Sequence, residues 1–85
     1  MPRPVRVRLF ATARTAVGRA ELEWPVPTEG IPAGRLARQI AEVYPALAPT
    51  LRVCRLVRNG QYVDRTRDRI RPGDEFAIHP PYGGG

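Results

Sequence analysis

Apolar and charged residues alternate from the fifth position of the chain. Val5-Arg6-Val7-Arg8-Leu9 has the two-residue period of a strand, with Val5, Val7 and Leu9 on a core face. Leu22-Glu23-Trp24-Pro25-Val26 repeats the pattern, turning Leu22, Trp24 and Val26 inward. Pro25 has no N–H to give to a ladder, so this strand ends there or lies at an edge. If the two strands pair, Glu21 and Glu23 stand opposite Arg6 and Arg8. Thr12 to Gly18 between them reads as a loop with room for one helical turn.

The period changes from Pro32 to Tyr44. Leu36, Ile40 and Val43 recur at four and three residues and form one helical stripe, away from Arg35, Arg38 and Glu42. Pro32 suits the first turn, and Pro45 stops the helix because the residue before a proline resists helical geometry. Leu47 and Leu51 are expected to plug one end of the core. Val53 to Arg58 reads as a third strand. Asn59-Gly60 is a hairpin signal leading into Gln61-Tyr62-Val63. Arg71-Pro72-Gly73-Asp74 is a turn, and Glu75-Phe76-Ala77-Ile78-His79 is the last strand, with Phe76 and Ile78 inward. Pro80-Pro81 ends sheet pairing.

A hairpin, a helix and three further strands make an α+β fold. The arrangement expected is a β-grasp, or ubiquitin-like, fold: a mixed sheet of four to five strands with one main helix across one face. In it the last strand is central, so the C-terminal residues leave from a well-anchored element. The domain is expected over residues 1–81, with 82–85 as a flexible Gly-rich functional tail.

That tail is Tyr82-Gly83-Gly84-Gly85. Without side chains, glycines can thread a tunnel too narrow for other residues. They also lose the most entropy on ordering, so they add little to a fold. The terminus is therefore either the working part or a frayed end.

Composition removes most other chemistry. The chain has 85 residues, enough for one domain but not for a deep enclosed active site. It contains neither Ser nor Lys, one His (His79) and one Cys (Cys54). No Ser-His-Asp triad is possible, and one Cys with one His cannot complete a zinc site. Cys54 lies in an apolar stretch and is expected to be a buried core thiol. No Gly-rich phosphate loop is present. A single Cys forms no internal disulfide, which fits a reducing compartment. Arg6 and Arg8 interrupt any secretory signal, and no run reaches transmembrane length. The expectation is a cytoplasmic protein without membrane or nucleic-acid partners. The net charge is +6 and every basic residue is Arg. The arginines are scattered and few aromatics are available for base stacking. Arg65, Arg67, Arg69 and Arg71 would share one side if extended. They then make either a solvated positive edge or a contact for an acidic partner.

Three pieces of the chain resemble a known family. They are Val7-Arg8-Leu9-Phe10-Ala11, Asn59-Gly60-Gln61-Tyr62-Val63, and Pro72-Gly73-Asp74-Glu75-Phe76-Ala77-Ile78 through Pro80-Pro81 to Gly84-Gly85. In order and spacing they are similar to the MoaD and ThiS group of sulfur carriers, which includes the small subunit of molybdopterin synthase. The resemblance implies that an E1-like (MoeB-like) adenylating enzyme uses ATP to activate the carboxylate of Gly85. Sulfur from a persulfide donor then makes a thiocarboxylate. Gly84 and Gly85 enter the large (MoaE-like) synthase subunit and donate sulfur to a cyclic pyranopterin precursor. The carrier binds no cofactor itself, and the catalytic side chains are the partner's. The implied partner surface is Phe10, His79, Pro80, Pro81, Tyr82 and Gly83. Two positions depart from the family pattern. Gly83 replaces another small residue, and His79 stands where an apolar residue is common. The alternatives are a carrier for thiazole or cysteine synthesis, a ubiquitin-like modifier joined through Gly85, and a basic interaction module with an idle tail.

Overall fold

The computed structural model describes residues 3–80. The expected strands form, in a mixed sheet. Strand β1 (Val5–Leu9) pairs antiparallel with β2 (Glu21–Trp24), which stops before Pro25. Helix α1 (Ala11–Val17) joins them. A short β3 (Ile31–Pro32) leads into α2 (Ala33–Val43). A 3-10 turn (Pro45–Leu47) and the single helical turn α3 (Ala48–Leu51) come next. Then come β4 (Arg55–Arg58), β5 (Gln61–Tyr62), β6 (Arg69–Ile70) and β7 (Glu75–His79).

The main sheet runs β2-β1-β7-β4-β5, and β3 pairs with β6 in a separate two-stranded ribbon. β7 is central, parallel to β1 and antiparallel to β4. This is the β-grasp topology. Residue alternation is as read: Val5, Val7, Leu9, Phe76 and Ile78 are buried beneath the helices, while Arg6 and Arg8 point out. Arg6 lies opposite Glu23 but makes its ion pair diagonally, to Glu21 at 3.2 Å.

Several local expectations are corrected. Thr12 to Gly18 is not a loop with one turn but most of the seven-residue α1, closed by Gly18 at φ 83, whose N–H donates to the Arg14 carbonyl. It buries Ala13 in the core, a single small anchor that gives little periodic signal. Val43, placed in the core stripe, is 59% exposed. At about 100° per residue, Ala33 and Ala37 widen the buried face on the side away from Val43. Tyr44, not Val43, packs on the core there. Val53 does not start a strand and is 60% exposed. Its N–H and that of Cys54 both donate to the Thr50 carbonyl, so the chain is still turning out of α3. The four arginines from Arg65 to Arg71 do not form one row. Asp64 Oδ1 accepts from the N–H groups of Thr66 and Arg67, each at 2.9 Å, and folds the segment into a turn. Arg65 reaches inward to the Leu51 and Cys54 carbonyls, and Arg69 to that of Gly30.

Pro32 precedes the helix rather than opening it, with ψ 138 at the N-cap position. It offers no side chain to cap α2. The loop supplies carbonyls instead: the Ala33 N–H donates to Asp68 O and the Gly34 N–H to Arg65 O, both at 2.9 Å. The hairpin between β4 and β5 turns through Asn59 and Gly60, at φ 49 and 86, the two positive angles a tight hairpin requires.

Candidate functional site

Helices cover one face of the sheet, and alternation exposes the other. On that outer face Arg8 and Phe10 from β1 and its exit stand beside Ala77 and His79 of β7. Arg55 and Val57 of β4 pair with His79 and Ala77, respectively. Ala77 and Val57 are only 7% and 8% exposed, although no helix lies over them. They form the floor of a small apolar patch that larger side chains fence.

The fence is aromatic and cationic. The Phe10 and His79 rings stack with centroids 4.5 Å apart and planes 25° from parallel. The Arg8 guanidinium lies 5.3 Å from the Phe10 ring centre and also meets Glu75 Oε1 at 3.5 Å. Across the sheet, Arg55 lies 5.1 Å over the ring of Tyr62, which is 69% exposed. Such pairs hold flat side chains in place and leave their outer surfaces for a partner.

The structure thus brings Phe10, His79 and Pro80 together, all half-buried, where β7 leaves the sheet. The remaining residues named from sequence, Pro81, Tyr82, Gly83, Gly84 and Gly85, lie outside the described residues. Arg8, Arg55, Val57, Tyr62 and Ala77 were missed. One signal could have found Val57. Leu56-Val57 breaks the alternation of β4, so one of two adjacent apolar residues must face outward.

Cys54, as expected, is buried, with Sγ 3.6 Å from the Leu51 carbonyl. Burial pushes its thiol above the usual range, and the nearby Arg65 charge offsets part of that rise. Among the described residues no group of three His, Cys, Asp or Glu side chains could hold a metal ion. Nor is any helix long and apolar enough to cross a membrane.

Fold and surface together define a β-grasp domain whose central last strand ends, at His79 and Pro80, beside a fenced apolar patch. The chain belongs to the ThiS family, whose pattern matches residues 7–85. It is 31% identical to the molybdopterin synthase sulfur carrier subunit of Dictyostelium discoideum, over the whole of both chains. Among solved structures it superposes on the Haloferax volcanii HVO 2177 protein with a TM-score of 0.80 and 26% identity, covering 98% of this chain and 87% of that one. It also shares its fold with a chain in the complex of subunits 1 and 2 of the molybdopterin-converting factor from Helicobacter pylori. That likeness has a TM-score of 0.65 and 22% identity, over 95% of this chain and 97% of the other.

Proposed function

We propose that this chain is a sulfur carrier, the small subunit of a molybdopterin synthase, and that its reactive atom is the carboxyl carbon of Gly85. The observation that carries this is the end-to-end match to a sulfur carrier subunit of that synthase, which reaches the final glycines. The outer-face patch beside Pro80 supports it, because a carrier needs a docking surface next to the segment it hands over.

The chemistry is set by the electrophile. A carboxylate is too stable to exchange oxygen for sulfur. An E1-like enzyme joins it to AMP from ATP, releasing pyrophosphate and creating a good leaving group. The outer sulfur of a persulfide donor attacks the adenylate and displaces AMP, giving an acyl disulfide. A second thiol then attacks the donor's own sulfur, forms a disulfide with it and releases the thiocarboxylate of Gly85. The large synthase subunit then takes in Gly84 and Gly85 and supplies the side chains that transfer the sulfur to a pterin precursor. Six extended residues from Pro80 to Gly85 span at most about 20 Å. Phe10, His79 and Pro80 must therefore seat close to the partner's reaction centre.

The test is intact-protein mass spectrometry after incubation with the adenylating enzyme, ATP, a persulfide donor and a thiol reductant. The wild-type chain gains the mass difference between sulfur and oxygen at its C-terminus. Gly84→Val, whose side chain would clash with a close-fitting tunnel, and a variant extended by one residue keep their fold but do not gain it. An extended variant that is modified equally and still supports molybdopterin formation overturns the proposal.

A further inference from the structure

On the helix side, away from the outer-face patch, α2 and α3 diverge around a groove of about 750 Å³. Buried Ala37 and Leu51 and half-buried Ala41 make its floor, and the exposed Arg35, Arg38 and Arg52 stand along its rims. No carboxylate among the described residues lines it. Among the described residues the ion pairs are those of Arg6 and Arg8, so the three rim guanidinium groups have no acidic partner there. One end is closed by Arg65 and Thr66. That wall is held in place by the Gly34 N–H on Arg65 O and by Arg65 Nη2 on Leu51 O at 2.7 Å. At Gly34 a β-carbon would come within 3.1 Å of Arg65, so glycine lets helix and wall close up.

We propose that this groove docks an acidic amphipathic helix of a partner protein. From Gly34 to Ala41 the open face of α2 runs about 10 Å, close to two helical turns. Small residues there let a second helix approach closely. Apolar side chains of the incoming helix would cover the alanines and Leu51, and its flanking carboxylates would meet the rim arginines, whose forked guanidinium groups suit bidentate pairing. The division of floor from rim decides the class of occupant. A free small anion would call for polar groups converging inside a pocket, and here the charges lie at the edges. Single-stranded nucleic acid would call for stacking rings, and among the described residues no aromatic side chain lines the groove. The groove and the outer-face patch lie on opposite sides of the sheet, so both can be occupied together. Helix docking here is independent of the sulfur-carrier reading.

The experiment uses the full chain and a fluorescein-labelled peptide of about four helical turns. Leucines on the peptide fall at i, i+3, i+4 and i+7, and glutamates flank them. Anisotropy is expected to show binding that weakens with added salt. Amide shifts should move along α2, α3 and residues 65–66. Arg35→Glu with Arg38→Glu should weaken binding by at least about tenfold. Ala41→Trp, which fills the groove and leaves the charge alone, should do the same, with circular dichroism confirming the fold of both variants. A peptide with lysines for glutamates should not bind. The proposal is overturned if the glutamate peptide does not bind, if the shifts fall on the outer face of the sheet, or if an oligonucleotide competes as well as the peptide.

Discussion

Phe76 is the largest of the fully buried side chains, and it sits on the central strand within the core cluster. Phe76→Ala leaves a cavity that two packed layers cannot close, at a cost of about 3–5 kcal/mol. That is a large share of a small domain's stability. Thermal unfolding is expected to show a loss of many degrees, and a melting temperature that barely moved would contradict the packing. Cys54 gives a second residue-level expectation. Its folded pKa is raised, chiefly by burial. Its contribution to stability is therefore complete below the unfolded thiol's value of about 8.5 and declines as pH rises through and beyond it. Alkylation at pH 8 should be far slower in the native protein than in denaturant. Equal rates would mean that the thiol is open to solvent.

The 64–68 loop shows how one residue organises an element. Asp64 is fully exposed, yet its carboxyl is held below the usual range, first by the N–H of Arg67 and then by Thr66. A lowered carboxylate pKa stabilises above the unfolded value, about 3.9, and that contribution fades as pH falls through the folded value. Acid should therefore loosen this turn, seen as lower protection of the Thr66 and Arg67 amides relative to their intrinsic exchange rates at that pH. Asp64→Ala should show the same loss of protection at neutral pH. Unchanged exchange in the variant would assign the turn to other contacts. This loop marks the boundary of what the sequence discloses. Strands β1, β2, β4 and β7 and helix α2 were legible because each repeats a clear period or ends at a proline, glycine or Asn-Gly pair. The β3–β6 ribbon was not, because two-residue strands have no period. The inward turn of Arg65 depends on carbonyls of Leu51 and Cys54 that only the fold brings near. At the candidate site, Phe10 and His79 were found by resemblance and by their place beside the exit. Arg8, Arg55 and Tyr62 were not, because ring–guanidinium contacts across a sheet depend on register, which alternation alone does not number.

For the whole molecule, the two faces of the sheet divide the work. The helix face carries the stability, and the outer face keeps its aromatic and cationic side chains in contact with one another and partly open. Phe10→Ala removes one ring from that surface without touching the core. It is expected to leave the melting temperature nearly unchanged and, under the function proposed above, to weaken binding to a large synthase subunit by about 2 kcal/mol, as loss of an aromatic anchor does. Titration calorimetry with the two subunits measures this, and undiminished affinity would move the interface elsewhere.

The central place of β7 also decides how the domain meets mechanical load. β1 enters the sheet near the start of the chain, β7 leaves it near the end, and the two are parallel neighbours. Tension between residues 3 and 80 therefore draws the strands past each other along their length. The ladder hydrogen bonds must then yield together, and β4 on the other side of β7 must release its own. Tension across the antiparallel β4–β5 hairpin would instead open its bonds one after another. Single-molecule pulling is expected to find the end-to-end direction the stronger by a wide margin. Equal rupture forces along the two directions would count against it. A protease that tugs on the glycine end would meet the domain along its most resistant axis.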